Sequence, residues 1–128
     1  MFTIPGAMAY ADLSLLLLRL VLALVFGASG FKHLQRPKER AASIGMNLPF
    51  TVFLGAAECA GALGLAAGIM APWAALGLIL VMLGAIYKKV VEWKTGFWGG
   101  KSIGWHYEIL LITMNLVIVT IGPGKYSL

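Results

Sequence analysis

Between Phe50 and Lys88 the chain carries one charge, Glu58, inside a stretch too long and too apolar for the core of a water-soluble domain. A charged side chain at such a depth costs roughly 3 kcal/mol or more unless it finds a partner or a wet cavity, so Glu58 is a functional candidate by position alone. The first apolar run, from Leu13 to Phe31, also holds one charge, Arg19. Apolar residues make up 60% of the chain and charged residues 12%, with a mean hydropathy of +0.89, well outside the averages for soluble domains.

The expected fold is therefore all-α: an integral membrane four-helix bundle forming one domain over 1–128. A hydrocarbon core of about 30 Å needs roughly 20 apolar residues per helix, and four runs approach that length: 12–31, 50–70, 73–91 and 105–122. Pro72 suits the first turn of the third helix, where a missing N–H is harmless, and Met70-Ala71 leaves room only for a tight turn before it. Helices two and three then form an antiparallel hairpin. The whole reads as an up-down bundle with both termini on one side.

Basic residues set the expected orientation. Lys32, Arg36, Lys38, Arg40, Lys88, Lys89, Lys94 and Lys101 all fall on one side of such a bundle, so segments 32–49 and 92–104 are expected in the cytoplasm and both termini outside. The net charge of +5 is thus accounted for by topology and attraction to anionic lipid heads, and nucleic acid is not an expected partner. Tryptophans 73, 93, 98 and 105, with Tyr10, Tyr87, Tyr107 and Tyr126, gather near the run ends as interfacial anchors. In the first connecting segment KERAASIGM has the composition of a short surface helix. The second, EWKTGFWGGKSIGW, is glycine- and aromatic-rich and reads first as a pliable connector, with a cover over a site as the alternative.

Residues three, four and seven apart share a helical face, which places Arg19 with Ala23, Phe26, Gly30 and His33 on an inward stripe. On helix two, Ala56, Ala60, Gly64 and Gly68 form a small-residue row, with Gly61 close to Glu58, suited to tight helix packing. On helix four Glu108 and Asn115 share a face. The ligand-binding or proton-linked candidates are accordingly Arg19, Glu58, Glu108, His33, Lys32 and Asn115. At 1.5 Å per residue Arg19 lies about 10 Å from its outer end and Glu58 about 12 Å from its cytoplasmic end, so their levels differ by roughly 8 Å and an extended arginine would reach. Two readings of such a pair stand open: a cavity with a tunable carboxyl, or an ion pair that fixes helix register.

Nothing else supplies chemistry. His33 and His106 lack metal-ligand spacing, no metal is expected, and Cys59 in AECAG has no neighbour in sequence that would stabilise a thiolate. No self-sufficient catalytic motif and no covalent cofactor signature is present. A single cysteine cannot close an internal disulfide.

The segments LLLLRLVLALVFGASGFKHL, GAAECAGALGLAAGIMAPWAALGLILVMLGAIY and EILLITMNLVIVTIGPGKYSL together resemble the DoxX family of small four-helix membrane proteins over nearly the whole chain. Arg19 in helix one, Lys32 at its end, Glu58, Glu108 and the tail Gly122–Leu128 match the family pattern. The glycine pair that follows the helix-two glutamate is reduced to Gly61-Ala62. The resemblance implies a bacterial or archaeal plasma membrane, a link to membrane redox chemistry, and a quinone as a possible ligand of a larger membrane complex or homo-oligomer. One expectation is a subunit of a quinone-linked oxidoreductase with a quinone- or lipid-sized cavity around Arg19 and Glu58. The other is a non-catalytic accessory subunit packed on a larger complex through its small-residue faces. A solute carrier ranks below both, because no inverted repeat or broken-helix pair is visible.

Overall fold

The computed structural model describes residues 4–100 and 103–127, so Lys101 and Leu128, named above for topology and tail, lie outside the described residues. Charge-free apolar sequence becomes helix wherever it runs, and the described residues are helical without a named strand. After a 3₁₀ turn at Ala7–Tyr10 come α1 (Ala11–Gln35), α2 (Pro37–Ile44), α3 (Leu48–Ala67), α4 (Ala71–Tyr87) extended by a π-helical turn at Lys88–Glu92, and α5 (His106–Ile121). Three of these, Ala7–Gln35, Leu48–Ala67 and Ala71–Glu92, are long and apolar enough to cross a membrane. The fourth apolar helix, His106–Ile121, is shorter than the 105–122 expected of it.

Local chemistry fixes the ends. Asn47 caps α3, its Oδ1 accepting from the Phe50 N–H at 2.8 Å, with Pro49 in the first turn. Helix α3 stops at Gly68 (φ +79°), three residues earlier than the 50–70 run implies, because the left-handed C-cap that glycine accepts ends it there. Pro72 falls in the first turn of α4, as its chemistry demands. Helix α1 continues past Phe31 to Gln35, and the chain then reverses at Arg36 into α2, the short surface helix.

Glycine sets the register of α1 on α3. Gly30 and Gly55 touch backbone to backbone: a Cβ at Gly30 would lie 2.7 Å from the Gly55 carbonyl oxygen and 2.8 Å from Cys59 Sγ. A Cβ at Gly27 would meet the Ala62 Cβ at 3.6 Å. The two helices therefore run antiparallel at close approach, which small residues permit and dispersion rewards in lipid. Helix α4 returns along α3, with Gly61 on Leu78 and Gly64 on Ala74. The dry core joins all four long helices through Leu22, Phe26, Leu65, Leu78, Leu111 and Ile118.

The outer surface is as apolar as the interior. Leu24, Leu63, Leu80 and Ile121 are all exposed by more than 60% of their area, and Trp73, Trp93, Trp98, Tyr10, Tyr87 and Tyr126 are exposed as well. Such a surface is stable against hydrocarbon and not against water. One end of the molecule, here the terminal end, joins the start of α1 to the tail: the Lys125 N–H donates to Asp12 Oδ1 at 3.0 Å. The opposite, loop end joins α2 to the end of α4, where Lys88 Nζ donates to the Gly45 carbonyl at 2.9 Å.

Candidate functional site

Arg19 and Glu58 do not meet. The α1–α3 register places Arg19 level with Gly68 and Glu58 level with Phe31, a separation of about twelve residues, or roughly 18 Å along the helices. Equal run lengths suggested flush helix ends, whereas α1 overhangs the end of α3 by about two turns, and the overhang carries Arg19 away from the carboxyl. The cavity or ion pair expected around both residues is corrected accordingly.

Arg19 belongs to the terminal end. It is fully buried, and its Nη2 donates to the Tyr126 carbonyl at 2.5 Å, fastening the tail over α1. Its Nη1 packs against Gly68, where Ser127 leaves no space for a side chain. Nε and Nη1 have no hydrogen-bond partner among the described residues. Because the two charges sit too far apart to couple, replacing Arg19 by leucine and Glu58 by glutamine should give stability changes that add within about 0.5 kcal/mol in the double variant, measured by unfolding in detergent. A coupling above about 1 kcal/mol would restore a direct interaction.

Glu58 belongs to a polar seam nearer the loop end, built by four helices. It is 2% exposed, and its Oε2 has no hydrogen-bond partner. On the α1–α3 register Ser29 lies level with Glu58 within a turn, and Arg40 of α2 forms no salt bridge with it. His33, also buried, is held by Arg40, whose Nε donates to His33 Nδ1 at 3.0 Å. An imidazole accepting at Nδ1 is neutral there and carries its proton on Nε2.

Helix α5 completes the seam with Tyr107 and Glu108. Glu108 is buried and pairs with Lys89 at 2.7 Å, while its Oε2 has no partner among the described residues. Lys89 also donates to the Ile103 carbonyl at 2.9 Å and lies 5.8 Å from the Tyr107 ring centroid. Glu58 on α3 and Glu108 on α5 each keep one buried oxygen without a hydrogen-bond partner among the described residues.

Of the remaining sequence candidates, Asn115 is buried one turn pair further along α5, its Nδ2 given to the Leu111 carbonyl at 2.8 Å and its Oδ1 unpartnered. Lys32 is exposed at the end of α1 and faces a cleft against α2. The small-residue row divides: Gly61 is buried on α4, Ala60 and Gly64 line an open groove between α3 and α4, Ala56 is exposed, and Gly68 caps the helix beneath the tail. Ser29, Arg40, Tyr107 and Lys89 were not singled out by the sequence. Arg40 and Lys89 had been counted only as topology charges, and Ser29 lies one position off the Arg19 stripe.

The described parts of the second connecting segment, 93–100 and 103–105, read as a pliable connector, fold on one another. Phe97 packs edge-on against Trp98 and Trp105, with centroids 4.8 and 4.5 Å apart, and its carbonyl accepts from the His106 N–H at 3.1 Å. Through the Ile103 carbonyl it is tied to Lys89 and so to the seam. Among the described residues no three histidine, cysteine or acidic side chains gather as a metal set.

A sequence model of the DoxX-like family matches residues 17–101. No curated protein and no solved structure matches the chain.

Proposed function

From the premise that this chain belongs to the DoxX-like family and is an integral membrane protein, we propose that it is a membrane subunit of a redox complex whose buried seam binds the polar head of a quinone-class ligand. In this reading all four long helices span the bilayer as an up-down bundle, segments 32–49 and 92–104 face the cytoplasm, and both termini lie outside. The basic residues of the loop end support that orientation.

One observation carries the ligand: the unpartnered Oε2 of Glu58, a buried acceptor whose desolvation is offset by no bond. Glu108 Oε2, on α5, is a second buried acceptor without a partner among the described residues. Two acceptors call for a ligand with donors, and a reduced quinone presents two phenolic O–H groups. The residues fit such a head. Glu58 would accept one O–H and is placed to take its proton, with the neutral His33 and the Arg40 charge on the loop side. Lys89 holds Glu108 in position and lies over the Tyr107 ring. When bound, the ligand supplies the two-electron, two-proton chemistry. Redox partners would come from other subunits, since Cys59 is a lone thiol.

Glu58→Gln keeps shape but replaces a charged acceptor. One charge-assisted hydrogen bond corresponds to about 10- to 100-fold in affinity. Quinone extracted from protein purified in mild detergent should fall by that factor in the variant, with helix content unchanged. Equal retention would remove Glu58 from the site.

A second reading, an accessory subunit, is favoured by one feature: the open apolar groove of about 660 Å³ lined by Ala57, Ala60, Gly61, Gly64, Ala74 and Gly77. Its small residues would admit a partner helix at close range. Stoichiometric partner subunits without bound quinone in native mass spectra would support this reading over the first.

A further inference from the structure

We propose that the cleft between the end of α1 and α2 is a binding site for a phosphate group at the membrane surface, either the headgroup phosphate of an anionic lipid or free phosphate. The cleft is open, about 430 Å³, and lined by Lys32, Gln35, Arg36, Glu39, Arg40 and Ser43. It opens at the surface, shares Arg40 with the seam through His33, and has the opposite electrostatic character to the buried carboxylates.

Its construction follows from the chain reversal at Arg36. Lys32 stands in the last turn of α1 and Arg36 at the non-helical reversal just past it, and Pro37 then starts α2, so that both line one cleft with Arg40 and Ser43. Three cations meet one acid, Glu39, whose contact with Arg36 at 3.6 Å is between side chains each 74% exposed and so contributes little. The central cation is fixed from behind. Arg40 gives its Nε to the buried His33, which leaves the two Nη groups, without hydrogen bonds among the described residues, to offer a planar fork to the cleft. A held guanidinium loses less freedom on binding than a free one, and bidentate donation matches phosphate geometry. The Gln35 amide adds a neutral donor.

Position selects the source. Helix α1 is apolar and spanning-length as far as Gln35, so the cleft opens where that helix leaves the hydrocarbon, at headgroup level.

The test uses the full chain in mild detergent with dioleoyl phosphatidylglycerol, dioleoyl phosphatidylcholine and inorganic phosphate as probes, read by native mass spectrometry. The protein should retain the anionic lipid at least about tenfold more than the zwitterionic one. Lys32→Gln/Arg36→Gln should abolish that preference, while Lys38→Gln/Lys94→Gln, which removes the same charge outside the cleft, should leave it intact. Arg40→Lys, which keeps the charge but not the fork, should reduce it. Circular dichroism checks that each variant is folded. Displacement of the lipid by inorganic phosphate alone would assign the site to free phosphate, and resistance to it would assign the site to lipid. Equal retention of both lipids with no phosphate binding, or equal loss in the two charge-matched variants, would overturn the proposal.

Discussion

Lys89→Met is expected to destabilise the protein by about 3–5 kcal/mol, because it leaves Glu108 buried with neither oxygen paired. The lysine is 13% exposed in its side chain and the glutamate 5%, so solvent screens the pair poorly and the uncompensated charge bears most of the desolvation cost. Lys89→Met/Glu108→Leu, which removes both charges, should recover most of the loss. Unfolding midpoints in detergent for the single and double variants measure this directly. Two equal losses would mean that packing of the lysine stem, and not its charge, holds the π-helical turn in place. The Ile103 carbonyl would also lose its donor, so segment 93–105 should become more protease-sensitive in the single variant.

Gly30→Leu should cost about 3 kcal/mol, at the upper end for overpacking, and should disturb the Glu58 seam at the same time. The added side chain would collide first with the Gly55 carbonyl, a backbone group that cannot swing aside as a side chain does. Only separation of α1 from α3 relieves the clash, and that separation also draws His33, which packs on Gly55, away from the helix that carries Glu58. Gly84→Leu is the control: nothing lies within 4 Å of that position, and its effect should stay within about 0.5 kcal/mol. Comparable melting of the two variants would contradict the close α1–α3 contact.

These two positions also show what the sequence could and could not convey. The helices were legible because a charge-free apolar run in a membrane has few alternatives to helix, and Pro72 and the turn before it marked a boundary by their own chemistry. Register was not legible. It is decided by where Gly30 meets Gly55, and a row of small residues on one helix does not reveal which small residue of another it will face. Of the expected row, Ala60 and Gly64 line the groove toward α4, Ala56 is exposed and only Gly68 meets α1, through the Arg19 side chain, while Gly55 was passed over.

Misplaced register explains the misplaced pair. An overhanging α1 carries Arg19 to the tail, where a backbone carbonyl takes the place assigned to Glu58. The importance of Glu58 followed from its depth alone, but its surroundings did not, since Ser29, Arg40 and Tyr107 arrive from three other helices. Arg40 is the clearest case. In sequence it is one of a cluster of basic residues beside a membrane helix, and only the reversal at Arg36 returns it over His33.

Photolabelling with an azido-quinone in native membranes, followed by peptide mapping, tests the central claim most directly. Labels on the segments holding Ser29 to His33 and Tyr107 to Glu108, lost in Glu58→Gln, are the predicted result. Labels confined to lipid-facing residues such as Leu63 and Leu80, unchanged by the substitution, would contradict it and leave the seam a structural feature of the bundle.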